Sequence, residues 1–313
     1  MSFLLSRVLS IVITLVVISV VTFTVVNILP GDVAMMVLGT QSNPSALAGL
    51  RQTLGLNDPL WVQYLRWMGG LLSLHLGQSL MFKVAIAPLL LQKMTASALI
   101  VVMSMTIALA GAVPLGVWSA VHRNRWQDTA ASTGALFGIS LPDFFWGILL
   151  ILLFARTLGW LPSSGFVDPG VDPLGALSHA LLPALALGLG LMAHLTRVTR
   201  STMTGILNQE FIRVARAKGL GEHAVVWRYA LSNAVGPVVT VAGLQIGYLF
   251  GSIIVVETLF NYTGMGWLTY QALLNRDVPL IETAVFAIAT VVLLINFAVD
   301  LIYLAVDPRI RTG

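Results

Sequence analysis

Six stretches of 22 to 28 residues carry at most one Asp, Glu, Lys or Arg each, and that pattern constrains the chain more than any other feature. Val8–Leu29 has none over 22 residues and Met94–Val121 none over 28. Thr129–Ala155 has only Asp143, and Leu174–Thr196 has two histidines but no formal charge. Ala234–Val256 is uncharged, and Thr283–Val306 has only Asp300. A helix crosses the hydrocarbon core with roughly 20 apolar residues. The sequence therefore predicts an all-α polytopic membrane protein with six transmembrane helices. Composition agrees: 57% of the residues are hydrophobic and only 10% are charged, where a soluble domain carries about 25% charged. A cytosolic enzyme and a disordered chain are both excluded. With no cysteine there is no disulfide, thiolate zinc site or Cys-bound iron–sulfur cluster.

The first span is too long for the apolar region of a signal peptide, and no A-x-A site follows it. It reads as an uncleaved signal anchor over 1–29. Residues 30–93 then form an external loop with short helices. A five-helix core follows over 94–306, with a loop at 197–232, and 307–313 form a tail. The net charge of +4 fits loop bias rather than nucleic-acid binding. With the N-terminus inside, inner segments hold 11 Lys and Arg: Arg7, Arg123, Arg125, Arg197, Arg200, Arg213, Arg216, Lys218, Arg228, Arg309 and Arg311. Outer segments hold six: Arg51, Arg66, Lys83, Lys93, Arg156 and Arg276. The asymmetry predicts both termini in the cytoplasm.

Asn43-Pro44 is a helix start and Gly55 a stop. Asp58-Pro59 starts a second short helix through Trp61, Tyr64, Leu65, Trp67 and Met68. That segment either lies at the membrane interface or caps the bundle.

No G-x-x-x-x-G-K-[ST], G-x-S-x-G or H-E-x-x-H occurs, so the chain itself has no P-loop and no recognisable catalytic motif. His75, His122, His179, His194 and His223 show no metal-ligand spacing. Asp168 and Asp172 fall in the Pro/Gly-rich turn Gly165–Pro173 and read as solvated loop residues.

The loop Arg197–Ser232 holds a different kind of pattern. Gln209–Lys218 reads as a short helix with Phe211, Val214 and Ala215 on one face. Arg213, Arg216 and Lys218 supply charge, and Gly219-Leu220-Gly221 stops it. Glu222–Leu231 restarts a helix with Val225, Val226 and Tyr229. This basic, amphipathic knob fits either an anionic lipid surface or a protein partner. Its sequence, E-F-I-R-V-A-R-A-K-G-L followed by W-R-Y-A-L-S-N-A-V-G-P, resembles the EAA loop of binding-protein-dependent ABC importer permeases. It is most similar to the peptide and nickel branch. In the general pattern, E-A-A then three residues then Gly, this chain matches at Ala215 and Gly219. Arg213 replaces the glutamate.

Other stretches resemble the same branch in order: Leu29-Pro30-Gly31-Asp32, Leu54-Gly55-Leu56 with Pro59 and Val62-Gln63-Tyr64, Leu76-Gly77-Gln78-Ser79, and Ser140-Leu141-Pro142. Glu257-Thr258-Leu259-Phe260, Gly264-Met265-Gly266, Arg276-Asp277 and Asp300…Tyr303…Asp307-Pro308-Arg309 follow.

The resemblance implies a type I ABC importer permease with the MetI-like fold, sited in a bacterial inner membrane. It implies a second homologous permease, two ATPase subunits and an external solute-binding protein as partners, and no nucleic acid. ATP and Mg then belong to the ATPase partners, with no cofactor or metal on this chain. Glu210, Phe211, Arg213, Val214, Ala215, Arg216, Lys218 and Gly219 become the ATPase-coupling residues. The implied cargo is dipeptides or short oligopeptides, with nickel chelates as the alternative.

The residues add two readings of the spans. Gly243, Gly247 and Gly251 recur every four residues and form a smooth face for helix packing. Opposite them lie Gln245, Tyr248 and Ser252, either lining a transport path or bonding to neighbouring helices. Asp143 follows Pro142 and is expected to cap the amides freed at a break or kink in the third span. Pro114 and Pro183 mark further kinks, and Asp300 is expected in a structural pair. A rival class, an ion-coupled secondary transporter using Asp143 and Asp300, has no need of the Gln209–Leu231 knob.

Overall fold

The computed structural model describes residues 2–28, 43–53 and 55–306. Leu29-Pro30-Gly31-Asp32, Leu54, Asp307-Pro308-Arg309 and Arg311 lie outside the described residues. The regular elements among the described residues are all helical. In chain order they are α1 (Ser2–Ile28), α2 (Pro44–Thr53), α3 (Leu60–Leu72), α4 (Ile86–Val121) and α5 (Trp126–Ser140). Next come α6 (Asp143–Leu150), continued by π-helical turns over Ile151–Thr157, α7 (Pro173–Leu207) and α8 (Glu210–Ala217). One α turn at Glu222–Ala224 and π turns at Val225–Ala230 lead into α9 (Leu231–Leu259). The last two are α10 (Met265–Leu274) and α11 (Val278–Val306).

Among the described residues, five helices are long and apolar enough to cross a membrane: Leu5–Ile28, Ile86–Val121, Pro173–Leu207, Glu222–Leu259 and Val278–Leu301. The third expected span is not one helix. Pro142 cannot donate to the helical ladder, and α5 and α6 bend by 98° there. Pro114, Pro183 and Pro237 lie inside continuous helices.

The chain divides into two compact units. The first comprises residues 1–97 and 263–293. In α1, Ser19, Thr22, Phe23 and Val26 are buried at helical spacing while Val8, Val12, Val16, Val20 and Val25 stay exposed. One packed stripe on an otherwise apolar helix is what a lipid-facing span requires. The stripe receives α3: Tyr64 meets Phe23 edge-on at 5.4 Å and hydrogen-bonds to Ser19 Oγ at 2.8 Å. Trp61 and Leu65, on the other side of α3, are exposed, so the helix has one packed and one apolar outward face. Two sequence motifs far apart in the chain meet in this unit. Ser79 Oγ donates to Asp277 Oδ2 at 2.5 Å, and Met81 N donates to the same oxygen at 3.0 Å. Asp277 also accepts from Leu280 N, holding the start of α11.

The second unit comprises residues 98–262 and 294–313. Its centre is α7, 56% buried over its most apolar window against 17–33% for the other long helices. Small residues allow the close approach. A Cβ at Gly116 of α4 would lie 2.5 Å from Thr199 Cβ and 2.9 Å from the Thr196 carbonyl oxygen. At Gly138 of α5 it would lie 2.7 Å from Ala193 Cβ. The helix also extends beyond the expected Thr196 end to Leu207, so Arg197 and Arg200 stand on it rather than in a loop.

Candidate functional site: the Gln209–Gly221 element

The short basic helix forms where the sequence places it, with Gln209 at its start and Lys218 at its end. It stops in a Schellman turn. Gly219 N donates to Arg216 O at 2.9 Å and Leu220 N to Ala215 O at 3.3 Å, with Gly219 at φ +80°. Arg216 then reaches across the turn to Glu222, Nε to Oε1 at 2.7 Å and Nη2 to Oε2 at 3.2 Å. The fork is exposed and contributes little to stability. Its geometric effect is to brace α8 against the turn that follows.

The inward face of α8 is Ile212 and Ala215, both buried. They join a core with Val117, Ala120, Met203, Ile206, Val225, Val226, Ala230 and Ala234. The element is thus packed onto α4, α7 and the start of the Glu222–Leu259 helix. The outward face is different. Phe211 is 38% exposed and Val214 51% exposed, flanked by the exposed Glu210, Arg213 and Lys218. An apolar pair ringed by charge and held on a rigid base has the composition of a protein-docking surface.

Several expectations change here. Ala215, grouped with Phe211 and Val214, faces the core instead. Ile212, its buried neighbour, carried no assignment. Glu222–Leu231 is not a second short helix but the beginning of the 38-residue Glu222–Leu259 helix. The polar residues that look like a break there fold back on the helix. Ser232 Oγ donates to Arg228 O and Asn233 Nδ2 to Tyr229 O, each at 2.7 Å. Through Ile212 and Ala215, α8 thus packs directly on the helix that continues as α9.

The same helix carries the other assigned residues. Gly243 packs against Val299, and a Cβ there would collide with it. Gly247 is half-buried, and Gly251 faces open space in this chain. Gln245 and Ser252 are half-buried and Tyr248 is 59% exposed. Asp143 does not cap the freed amides: Pro142 holds the cap position and no side chain bonds there. Its carboxylate turns instead to Tyr248, whose Oη donates to Oδ2 at 3.3 Å.

Asp128 and Arg200 form a pair that carried no assignment in the sequence. Arg200 Nε and Nη2 reach Oδ1 and Oδ2 at 2.5 and 2.8 Å, Ser119 Oγ donates at 2.6 Å and Asn124 N at 3.0 Å. One buried carboxylate so ties the end of α4 and the start of α5 to α7 in the same unit as the core beneath α8. The partners lie 72 residues apart, beyond any local motif. Asp168 and Asp172 accept from Gly170 N and Gly175 N, as turn and cap residues do. Among the described residues, no three His, Asp or Glu side chains converge as metal ligands would.

Comparison with known proteins settles the family. The model of the binding-protein-dependent transport system inner membrane component matches residues 112–312, and its N-terminal companion matches residues 1–95. The chain belongs to this family. The permease is 37% identical to the dipeptide transport system permease protein DppB of Alkalihalophilus pseudofirmus, over 94% of each chain. It is 36% identical to the glutathione transport system permease protein GsiC of Salmonella paratyphi A, over 99% of each. A chain of the MetNI methionine ABC transporter, solved in inward-facing conformations, superposes with a TM-score of 0.59 at 19% identity. That match covers 70% of the permease and 96% of the MetNI chain, and shows the MetI-like fold. The permease is thus an integral membrane transport subunit of an ABC importer, not an enzyme, and ATP hydrolysis resides on a separate subunit. Membership implies work with ATPase and solute-binding components.

The turn at Gly219 supplies a direct prediction. A β-branched side chain at φ +80° is strained by roughly 1–2 kcal/mol, with nothing nearby to clash with. Gly219→Val is expected to lower uptake by the reconstituted complex several-fold while membrane insertion stays normal. Gly219→Asn, which tolerates the left-handed region, should lose less. Equal uptake by the valine variant and wild type would refute the role given to the turn.

Proposed function

We propose that this permease carries dipeptides or short oligopeptides, delivered by an external solute-binding protein, across a bacterial inner membrane. It pairs with a second related permease and two ATPase subunits, which hold the ATP and Mg, while this chain binds no cofactor. Both termini and α8 face the cytoplasm, in keeping with the Lys/Arg asymmetry. The cargo reading rests on one observation: relatives at 36–37% identity over nearly full length are named for dipeptide and glutathione transport. Those names favour peptides over nickel chelates.

The mechanism follows from the packing. ATP closes the ATPase dimer and moves the groove in which Phe211 and Val214 sit. Ile212 and Ala215 pass that displacement to α7 and to the Glu222–Leu259 helix through their shared core. Gln245, Tyr248 and Ser252 ride on the same helix, so the polar face moves with the coupling element. Alternating access results from a helix rigid enough to carry motion from cytoplasm to mid-membrane.

The test is uptake of labelled trialanine into liposomes holding the whole complex, with binding protein outside and ATP inside. Uptake is expected only with ATP and binding protein, and not from an imposed proton or sodium gradient. Gradient-driven uptake without ATP would favour a secondary transporter.

A further inference from the structure

Asp143, a carboxylate of the second unit, has no part in the coupling of α8 to the spans. Asp143 opens α6 directly after the 98° break. An irregular backbone at membrane depth is tolerated where it faces protein or lines water. The carboxylate lies between two helices. On the α7 side is Gly190, where a Cβ would come within 2.9 Å of Oδ1, so glycine leaves the room that the carboxylate occupies. On the α9 side is Tyr248, donating at 3.3 Å, with Ser252 one turn further along the same helix and within electrostatic reach of the carboxylate. Asp143 is half-buried and Tyr248 largely exposed, so the group is reachable.

The contrast with Asp128 is informative. Asp128 is neutralised by a two-pronged Arg200 and two further donors. Among the described residues no Lys, Arg or His forms an ion pair with Asp143, whose carboxylate accepts from the Tyr248 hydroxyl and has the Ser252 hydroxyl nearby. A carboxylate offers about four acceptor positions, so capacity remains for a charged donor. Charges inside membrane spans are retained where they pair or serve a pathway. The group that fits is compact, cationic and rich in N–H donors.

We propose that Asp143, Tyr248 and Ser252 form a cation-recognising station on the transport path that receives the free α-ammonium group of a peptide in transit. The carboxylate provides charge, Tyr248 orients it, the two hydroxyls can accept from the ammonium, and Gly190 keeps the space open. Because Tyr248 and Ser252 belong to the helix driven by α8, the station forms and opens with the transport cycle. This inference rests on the peptide-import reading above.

The experiment uses the complete complex in liposomes and two probes, trialanine and N-acetyl-trialanine, each preloaded on the binding protein. Asp143→Asn is expected to lower the rate for trialanine about tenfold and to leave the acetylated peptide unchanged. Asp143→Glu should keep trialanine within about threefold of wild type. Where the acetylated peptide is not carried at all, the Asn and Glu variants on trialanine decide by themselves. The station is overturned if Asp143→Asn carries trialanine at the wild-type rate. It is equally overturned if both peptides are lost alike, or if glutamate does not restore transport. If the wild-type complex carries neither peptide, the peptide-import reading fails instead.

Discussion

Replacing Phe211 and Val214 together by aspartate should abolish ATP-driven uptake while the permease still folds and inserts. Both side chains stand outside the fully buried core, at 38% and 51% exposure, so their loss removes less internal packing than loss of Ile212. Central apolar anchors in a protein interface are each worth about 2 kcal/mol or more, roughly thirtyfold in affinity. Two aspartates add uncompensated charge to the contact, so ATPase association should fall by at least about a hundredfold. The comparison is Ile212→Asp, one residue away. Ile212 is fully buried, and a carboxylate placed there has no partner. That variant should be lost before assembly. Recovery of monodisperse permease, co-purification of the ATPase and uptake, measured together, separate the two failures.

Gly116→Leu should be the most damaging single substitution among the helix contacts of the second unit. Even a Cβ would meet Thr199 Cβ at 2.5 Å and the Thr196 carbonyl oxygen at 2.9 Å. The carbonyl belongs to the backbone of α7, so relief requires the helices to separate. Overpacking typically costs about 1–3 kcal/mol. In a bilayer the loss is felt directly, because van der Waals contact between helices is a main source of their association. Most of the folded protein should disappear from detergent extracts. Gly205→Leu, on α7 with nothing within 4 Å, should be recovered like wild type. Equal recovery of the two variants would contradict the close approach of α4 to α7.

Local sequence signals carried much of this architecture. Length with at most one charge marked five spans, and Pro142 marked the break in the third apolar stretch. The glycine after the basic helix announced the left-handed turn at Gly219. The phase of α8 was harder to read. Phe211, Ile212, Val214 and Ala215 are all apolar, giving two overlapping stripes on one short helix. Only packing against Met203 and Val225 selects Ile212 and Ala215 as the inner stripe. Helix ends were misread where polar side chains satisfy themselves on the preceding turn, as Ser232 and Asn233 do. Pairings across the fold were out of reach. Asp143 and Tyr248 are 105 residues apart, and nothing local to Pro142 shows that the carboxylate turns away from the freed amides.

The central claim is that α8 meets the ATPase through its outer stripe, and the absence of cysteine from the chain allows a direct test. Single cysteines at Phe211, Ile212, Val214 or Ala215 would be treated with a short thiol-to-amine cross-linker in the assembled complex, with and without ATP. The account predicts cross-links to the ATPase subunit from Phe211→Cys and Val214→Cys, with yields that change on adding ATP, and none from Ile212→Cys or Ala215→Cys. No cross-link from the outer pair, or equal yields from all four positions, would contradict it.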